Sequence, residues 1–240
     1  MNRLLLVALS CLLVLSSCMF NSERITGNGQ VRKEPRQVGE FNSVDASTAL
    51  TVYIRQDASN SVMVETDENL QPYIEISERN GTLYIRQRNN TSLSPTGGTI
   101  KIYVSAPVYK MISASGATKL IGENALSSTS GITLEVSGAS NANLELRSPS
   151  VSADLTGASS LIAIGETKDL SIEASGASDA KCLELFSENA DVHVSGASSA
   201  QVYASVRLNA EASGASGVKY KGKAAVTSDA NGASNISKID

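Results

Sequence analysis

The chain has 240 residues, with 20 Lys and Arg against 24 Asp and Glu, a formal net charge of −4 and a single histidine. This mildly acidic balance, without a basic patch interleaved with aromatic residues, argues against nucleic-acid binding. Two of the three cysteines fall within the first 18 residues, which leaves Cys182 alone in the remainder. A disulfide framework and a cysteine-rich zinc site are therefore excluded there.

The N-terminus is typical of an exported lipoprotein. One basic residue precedes an apolar run of twelve residues, which is shorter than the roughly 20 residues that span a bilayer. The stretch LSSC then matches a lipobox, in which the cysteine is acylated and becomes the mature N-terminus. We predict a lipoprotein signal peptide over 1–17 and a lipid anchor on Cys18, with ordinary secretion and cleavage near Ser17 as the alternative. Because Met follows the cysteine, we expect an outer-membrane lipoprotein that faces either the periplasm or the cell surface.

The mature chain is expected to begin with a tether and to continue as one domain. Residues 18–37 are polar, contain glycine and one proline, and are interpreted as a flexible tether. We predict a single β-helix domain over 38–240, with irregular strands in 38–112 and regular repeats in 113–240. The irregular strands contain an Asn-Gly hairpin signal at Asn80, and we expect them to cover one end or side of the domain.

Seven copies of a small-residue motif, SGAS or a close variant, recur in the second half of the chain. Their glycines are Gly116, Gly138, Gly157, Gly176, Gly196, Gly214 and Gly232. The steps between them are 22, 19, 19, 20, 18 and 18 residues, a period typical of a solenoid. Apolar alternation on both sides of each motif predicts two short strands per repeat, joined at a corner where only small residues stack at steps of about 4.8 Å. The pattern predicts an all-β fold, a single-stranded right-handed parallel β-helix, rather than a propeller or barrel.

The lone Cys182 falls at a repeat position otherwise occupied by aliphatic side chains and one tyrosine. We therefore predict a buried thiol that fills the core rather than a reactive one.

The residue two positions before each of the last six motifs is acidic or histidine. The set is Glu135, Asp154, Glu173, His193, Glu211 and Asp229. Coils stacked in register would align these side chains in one outward column at steps of about 4.8 Å. One interpretation is a solvated face that keeps the sheet soluble. The other is a site for a cation, with calcium as the candidate, or for a basic partner.

His193 lies between Glu173 and Glu211 in that column. It is expected to neutralise charge locally or to act as a pH-sensitive contact.

Carboxylates about 5 Å apart also suit a retaining glycosidase, so a β-helix carbohydrate-active enzyme, a polysaccharide lyase or hydrolase, is the alternative function. The near-equivalence of the repeats, the absence of Trp and the single histidine weigh against it. We predict no catalytic residues.

Most of the tyrosines fall in the N-terminal half, and at strand spacing they are expected to pack between layers. The alternative is a binding patch formed by Tyr53, Arg55, Tyr84 and Arg86.

The order of the segments resembles a known family. The segments occur in the order VGEFNSVDASTALTVYIRQ, NGTLYIRQ and IKIYVSAPVYKMISASGATKL, followed by repeated SGAS turns. Over about residues 38–235 this order is similar to the head-GIN domain family of autotransporter adhesins. The resemblance implies a right-handed β-helix exported to the envelope and brings no catalytic site. The expected function is a non-catalytic cell-envelope lipoprotein that presents its β-helical surface for adhesion or assembly. Its expected partners are the membrane, through the lipid, and a glycan or protein ligand, with homo-oligomerisation as a further alternative.

Overall fold

The computed structural model describes residues 22–240, so the predicted signal peptide and Cys18 lie outside the described residues. Apart from one 3₁₀ helix, Glu68–Tyr73, the regular elements of the described chain are strands. In chain order the strands are β1 (Glu23–Thr26), β2 (Val31–Arg36), β3 (Ser43–Thr48), β4 (Leu50–Gln56), β5 (Ser61–Asp67), β6 (Ile74–Arg79), β7 (Thr82–Gln87), β8 (Thr91–Ser94), β9 (Ile100–Ala106), β10 (Met111–Gly116), β11 (Lys119–Gly122), β12 (Leu126–Ser127), β13 (Ile132–Val136), β14 (Asn141–Leu155), β15 (Ser160–Ala174), β16 (Asp179–Val194), β17 (Ser199–Gly214), β18 (Gly217–Lys221), β19 (Ala225–Gly232) and β20 (Asn235–Lys238). They build a parallel β-solenoid of about seven turns, which confirms the predicted fold class.

Each regular coil presents two strand faces that meet at the glycine corner. We call the segments before the corner the pre-corner face and those after it the post-corner face. The pre-corner face consists of β3, β10, β13, residues 150–155, 169–174, 189–194 and 207–214, and β19. The post-corner face consists of β4, β11, β12, residues 141–147, 160–167, 179–187 and 199–205, β18 and β20. Along both faces, buried apolar residues alternate with outward polar ones, as the sequence period predicts.

The corners superpose from coil to coil and require glycine. From Gly138 to Gly232 the corner φ lies between 70° and 81°. A Cβ at these six corners would lie only 2.6–2.9 Å from the carbonyl oxygen of the corner glycine in the preceding coil. That carbonyl instead accepts a hydrogen bond, 2.7–2.8 Å long, from the alanine N–H that follows each glycine. The stacking therefore excludes a side chain at this position for steric as well as conformational reasons.

An eighth corner, which the sequence analysis missed, is formed without glycine. Thr48 pairs in register with Gly116 and has a φ of 85°. On its other side β3 pairs with β7 only as far as Ala46, so no further corner of this kind lies beneath Thr48. A side chain therefore fits at this position, although a β-branched residue at positive φ is strained. The Thr118 hydroxyl donates a 2.6 Å hydrogen bond to the Thr48 carbonyl and ties the corner to the next coil.

The stacking order of the first coils differs from the chain order. The coil formed by β3 and β4 lies between β7 and β9 on one side and β10 and β11 on the other. Beyond β7 and β9 the pairing becomes antiparallel, through β6, β5 and β2. The β6–β7 turn has positive φ at Asn80 (53°) and Gly81 (77°), which confirms the predicted hairpin. The irregular strands thus form a cap over the N-terminal end of the parallel ladder.

The prediction of a flexible tether over 18–37 is wrong for its described part. β1 pairs with β8, and β2 pairs with β5 along its whole length. β2 is the outer strand of the cap and is mostly exposed, so it needs no apolar alternation and its composition is that of a linker. Pro35 is tolerated because an edge strand has one side without ladder hydrogen bonds.

A buried carboxylate fastens this N-terminal segment. Asp67, fully buried at the end of β5, accepts hydrogen bonds from the Gly29 N–H (2.7 Å), the Thr96 N–H (2.9 Å) and the Thr96 hydroxyl (2.6 Å). These donors, the Thr96 hydroxyl foremost, lower the pKa of Asp67 against the opposing effect of burial. One ionised side chain therefore joins three separate segments of the cap.

Replacement of a corner glycine is predicted to destabilise the solenoid. Gly176→Ala places a Cβ 2.6 Å from the Gly157 carbonyl oxygen at a φ of 81°, and we expect a loss of about 3 kcal/mol in the free energy of unfolding. The control is Gly217→Ala, where the nearest heavy atom to a Cβ lies 3.7 Å away. Urea denaturation measures both variants, and equal losses would contradict the role of the corner.

The stabilisation of the cap by the ionised Asp67 side chain is predicted to weaken in acid. Because folding lowers this pKa, the ionised group stabilises the fold above its unfolded value of about 3.9, and that contribution disappears as the pH falls through the folded pKa. Asp67→Asn should therefore lower the melting temperature at pH 7, and the difference from the wild type should shrink below about pH 4. The exposed Asp57→Asn is the control. A difference in melting temperature between Asp67→Asn and the wild type that does not change with pH would refute the role of the ionised carboxylate.

Candidate functional site

The six residues of the predicted column lie directly opposite one another on adjacent strands of the pre-corner face. The register pairs Glu135 with Asp154, Asp154 with Glu173, Glu173 with His193, His193 with Glu211, and Glu211 with Asp229. The five carboxylate side chains are exposed and the imidazole is half-buried. Towards the cap the same column continues through Ser113 and Asp45. We call the six residues the acidic column.

His193 bridges two carboxylates on two strands. Its Nδ1 lies 3.1 Å from Glu211 Oε2 in the next coil, and its Nε2 lies 3.0 Å from Asp191 Oδ1 on its own strand. A protonated ring has donors at both nitrogens and can satisfy both carboxylates. The contact with Glu211 agrees with the sequence analysis, whereas Asp191 replaces Glu173 as the second partner.

A shallow groove of about 400 Å³ runs beside the column. One wall is the acidic column from Asp154 onwards, and the other is the first residue of each motif: Thr156, Ser175, Ser195, Ser213 and Asn231. Carboxylates and hydroxyls therefore repeat along the groove at the spacing of the coils. Such a surface can accept several hydrogen bonds or attract several positive charges at once.

Within residues 22–240, no group of three His, Cys, Asp or Glu side chains is arranged to hold a metal ion. The column supplies one acidic or histidine side chain per coil, in a line rather than as a converging set of ligands. Calcium binding at the acidic column stays a prediction.

The four residues of the alternative Tyr and Arg patch do not form one surface. Tyr53 and Arg55 lie on β4 of the post-corner face. Tyr84 and Arg86 lie on β7, which pairs with β3 of the pre-corner face. The Tyr53 ring stacks on Tyr103 at 4.9 Å between ring centres and 12° between planes, which is packing between layers.

Arg86 belongs to the cap end of the column instead. Its guanidinium lies over the Tyr84 ring at 5.2 Å and 3.4 Å from Asp45 Oδ2. Tyr84 and Arg86 line a separate groove of about 370 Å³. The shared YIRQ sequence therefore occurs in two different environments.

One aromatic pair at the surface of the post-corner face was missed by the sequence analysis. Phe186 is 53% exposed and packs edge-on against Tyr203, with ring centres 5.1 Å apart. The available signal was their rarity, since only three aromatic residues follow Tyr109.

Cys182 lies in the core with no exposed surface. Burial raises the pKa of its thiol to about 12, because the surrounding aliphatic side chains cannot stabilise a thiolate. The thiol is therefore inert, as its repeat position predicts.

None of the helical structure in residues 22–240 has the length and apolar character that crossing a bilayer requires.

Solved structures share this fold. A "putative adhesin" from Bacteroides fragilis is similar over 90% of this chain and 100% of its own, with a TM-score of 0.83 and 20% identity. A "putative lipid binding protein" from Parabacteroides distasonis covers 91% of this chain and 100% of its own, with a TM-score of 0.72 and 19% identity. A "putative adhesin" from Parabacteroides merdae covers 91% and 100%, with a TM-score of 0.70 and 18% identity.

At such identities these likenesses establish the fold alone. No curated protein matches the sequence. Residues 40–224, however, match the family described as "Putative auto-transporter adhesin, head GIN domain", and the chain therefore belongs to this family.

Proposed function

We propose that this chain is an exported, lipid-anchored protein of the bacterial envelope that acts without catalysis, as an adhesin-like module whose pre-corner face binds a cationic partner. The observation that carries the proposal is the acidic column, in which five exposed carboxylates stand in register on a rigid ladder. A rigid array of like charges loses little conformational freedom when it binds a complementary surface.

The charge of the whole pre-corner face supports this role. Its strand segments contain eight carboxylates and one basic side chain, Arg207, a formal net charge of −7 with His193 neutral. The eight are Asp45, Glu135, Asp154, Asp169, Glu173, Asp191, Glu211 and Asp229. Clustering of one sign raises the local concentration of cationic partners and speeds their association.

The same geometry favours recognition over catalysis. A glycosidase needs two carboxyl groups whose surroundings give them different protonation states. In the column every carboxylate is exposed to solvent, so none has the apolar surroundings that set one carboxyl group of a glycosidase apart from the other. The adhesin description of the family agrees with a binding role.

The lipobox and the position of β1 support anchoring close to the membrane. β1 begins at Glu23, five residues after Cys18. Five extended residues reach at most about 17 Å, so a lipid on Cys18 would hold the capped end of the solenoid near the bilayer. The ladder from β6 to β19 is roughly 40 Å tall, which places the acidic column away from the lipid.

The anchor is tested by substitution of the acylated residue. In cells fed labelled palmitate, the wild-type chain is expected to incorporate the label and to fractionate with the envelope membranes. Cys18→Ser should lose the label and the membrane association, whereas Cys182→Ser should keep both. Equal labelling of Cys18→Ser and the wild type would contradict acylation at this position.

The binding face is tested with immobilised poly-L-lysine as the cationic probe. Glu173→Gln combined with Glu211→Gln removes two charges from the pre-corner face, and we expect a three- to tenfold loss of affinity, or roughly 0.7–1.4 kcal/mol, and a shallower dependence on salt. Glu145→Gln combined with Glu184→Gln removes two charges from the post-corner face and is the matched control. If both variants bind equally well, the pre-corner face is not the binding surface.

A further inference from the structure

The two faces of the solenoid carry opposite net charge. The strand segments of the post-corner face contain seven basic side chains and four carboxylates, a formal net charge of +3. The basic residues are Arg55, Lys119, Arg147, Lys181, Lys219, Lys221 and Lys238, and the carboxylates are Glu145, Glu166, Asp179 and Glu184. Arg147 and Lys181 pair with carboxylates on their own strands, but Lys219 and Lys221 have no ion pair with any group in residues 22–240. The pre-corner face of the same coils has a net charge of −7.

The coils that carry the charges repeat at the same interval on both faces. Each coil contributes one step of about 4.8 Å to both ladders, because both belong to the same stacked backbone. Lys181 and Lys219 occupy the same position two coils apart, with Gln201 between them. A second copy of this chain therefore offers two basic side chains at the separation of Glu173 and Glu211, which are also two coils apart. Electrostatic complementarity of this kind fixes partner choice and register.

The post-corner face also exposes apolar side chains in its middle. Phe186 is 53% exposed and Ile162 is 39% exposed, both on strand segments of this face. On the pre-corner face the one large apolar side chain with comparable exposure among the described residues is Val226, in the last coil. Exposed apolar side chains among charged ones are typical of a surface that contacts another protein.

We propose that the cationic partner is a second copy of this chain, with the pre-corner face of one copy packed against the post-corner face of the next. The inference rests on the proposed function, because it identifies the partner of the same acidic face. Lipids on Cys18 would hold neighbouring copies upright at the same height, so that corresponding coils of the two copies face each other. Confinement to a membrane raises the effective concentration and lets weak contacts form. The contact joins two different faces, so each copy can bind one neighbour on either side and copies add into rows or rings.

The arrangement of faces is tested by cross-linking the full chain in the envelope of expressing cells. Glu173 and Lys181 lie in one coil, on the pre-corner and the post-corner face. With Glu173→Cys and Lys181→Cys combined, a short bis-maleimide is expected to give dimers, trimers and larger products. Each single substitution should give no dimer, because a contact between unlike faces never brings two copies of one residue together. The wild-type chain controls for Cys182, which is buried.

Dimers from Glu173→Cys alone would show that like faces meet and would overturn the proposal. Absence of products from the combined variant, with an unchanged melting temperature, would overturn it as well.

Charge reversal provides a second test that does not depend on thiol geometry. Two differently tagged copies of the full chain, solubilised in detergent, are expected to co-purify at low salt. Glu173→Lys with Glu211→Lys, or Lys219→Glu with Lys221→Glu, should each lower the yield of self-pairing at least tenfold. A mixture of the two reversed forms should recover it, because each form then carries the face that matches the other.

Failure of the mixture to recover pairing would refute association between copies. If poly-L-lysine binding still depends on Glu173 and Glu211 in that case, the proposed function stands and only the identity of the partner falls.

Discussion

The contact on which the rest of this molecule depends is the approach of one corner glycine to the next. In each regular coil the glycine carbonyl accepts a hydrogen bond, 2.7–2.8 Å long, from the alanine N–H of the following coil. A Cβ on the glycine of that following coil would lie within 2.9 Å of the same oxygen. The hydrogen bond and the exclusion of side chains act at the same atom. As a result the corners cannot shift relative to one another. The corner therefore sets the pairing register of every strand that starts or ends there. The in-register acidic column follows from this backbone constraint rather than from attraction among its members, since like charges on neighbouring strands repel.

Because the register is fixed at the corner, coils that differ in length must absorb the difference elsewhere. The pairings of β15 with β16 and of β16 with β17 shift within the post-corner segments, and the second also shifts between Ser187 and Asn189, where the chain passes to the next pre-corner segment. Both pairings remain regular along the pre-corner segments from Asp191 to Val194. The acidic column therefore lies on the more regular face. The exposed Phe186 lies at one of the shifts, where the inward and outward alternation is interrupted. A uniform charged surface and an irregular apolar one thus arise from the same set of coils.

The parts of the fold that could be predicted are those that repeat. The glycine period, the alternation and the outward column are each encoded several times, so a single exception does not obscure them. The features that were missed occur once. Thr48 makes a corner without glycine because no equivalent corner lies beneath it, and nothing in the motif signals that freedom. β2 has the composition of a linker because it is an exposed edge strand, held by pairing with β5 and by hydrogen bonds of the buried Gln71 side chain. The buried Asp67 holds the turn before it, at Gly29. The two YIRQ segments have the same sequence, yet the chain changes its stacking order between them, so that one pairs with β9 and the other with β3.

The two ends of the solenoid explain why the faces are the surfaces left for partners. At the N-terminal end, antiparallel strands cover the ladder, and the outermost, β2, carries proline and charged residues that discourage further pairing. At the C-terminal end, β19 is exposed along its whole length. Its inward positions, Val226, Ser228 and Ala230, lie over the buried Leu208, Ala210 and Ala212 of the preceding coil. Apart from Val226, these terminal side chains are small or polar, so the open end exposes little apolar surface and gives end-to-end stacking little to bury. The proposed association therefore uses the long sides, where charge and exposed apolar side chains differ between faces, rather than growth along the axis.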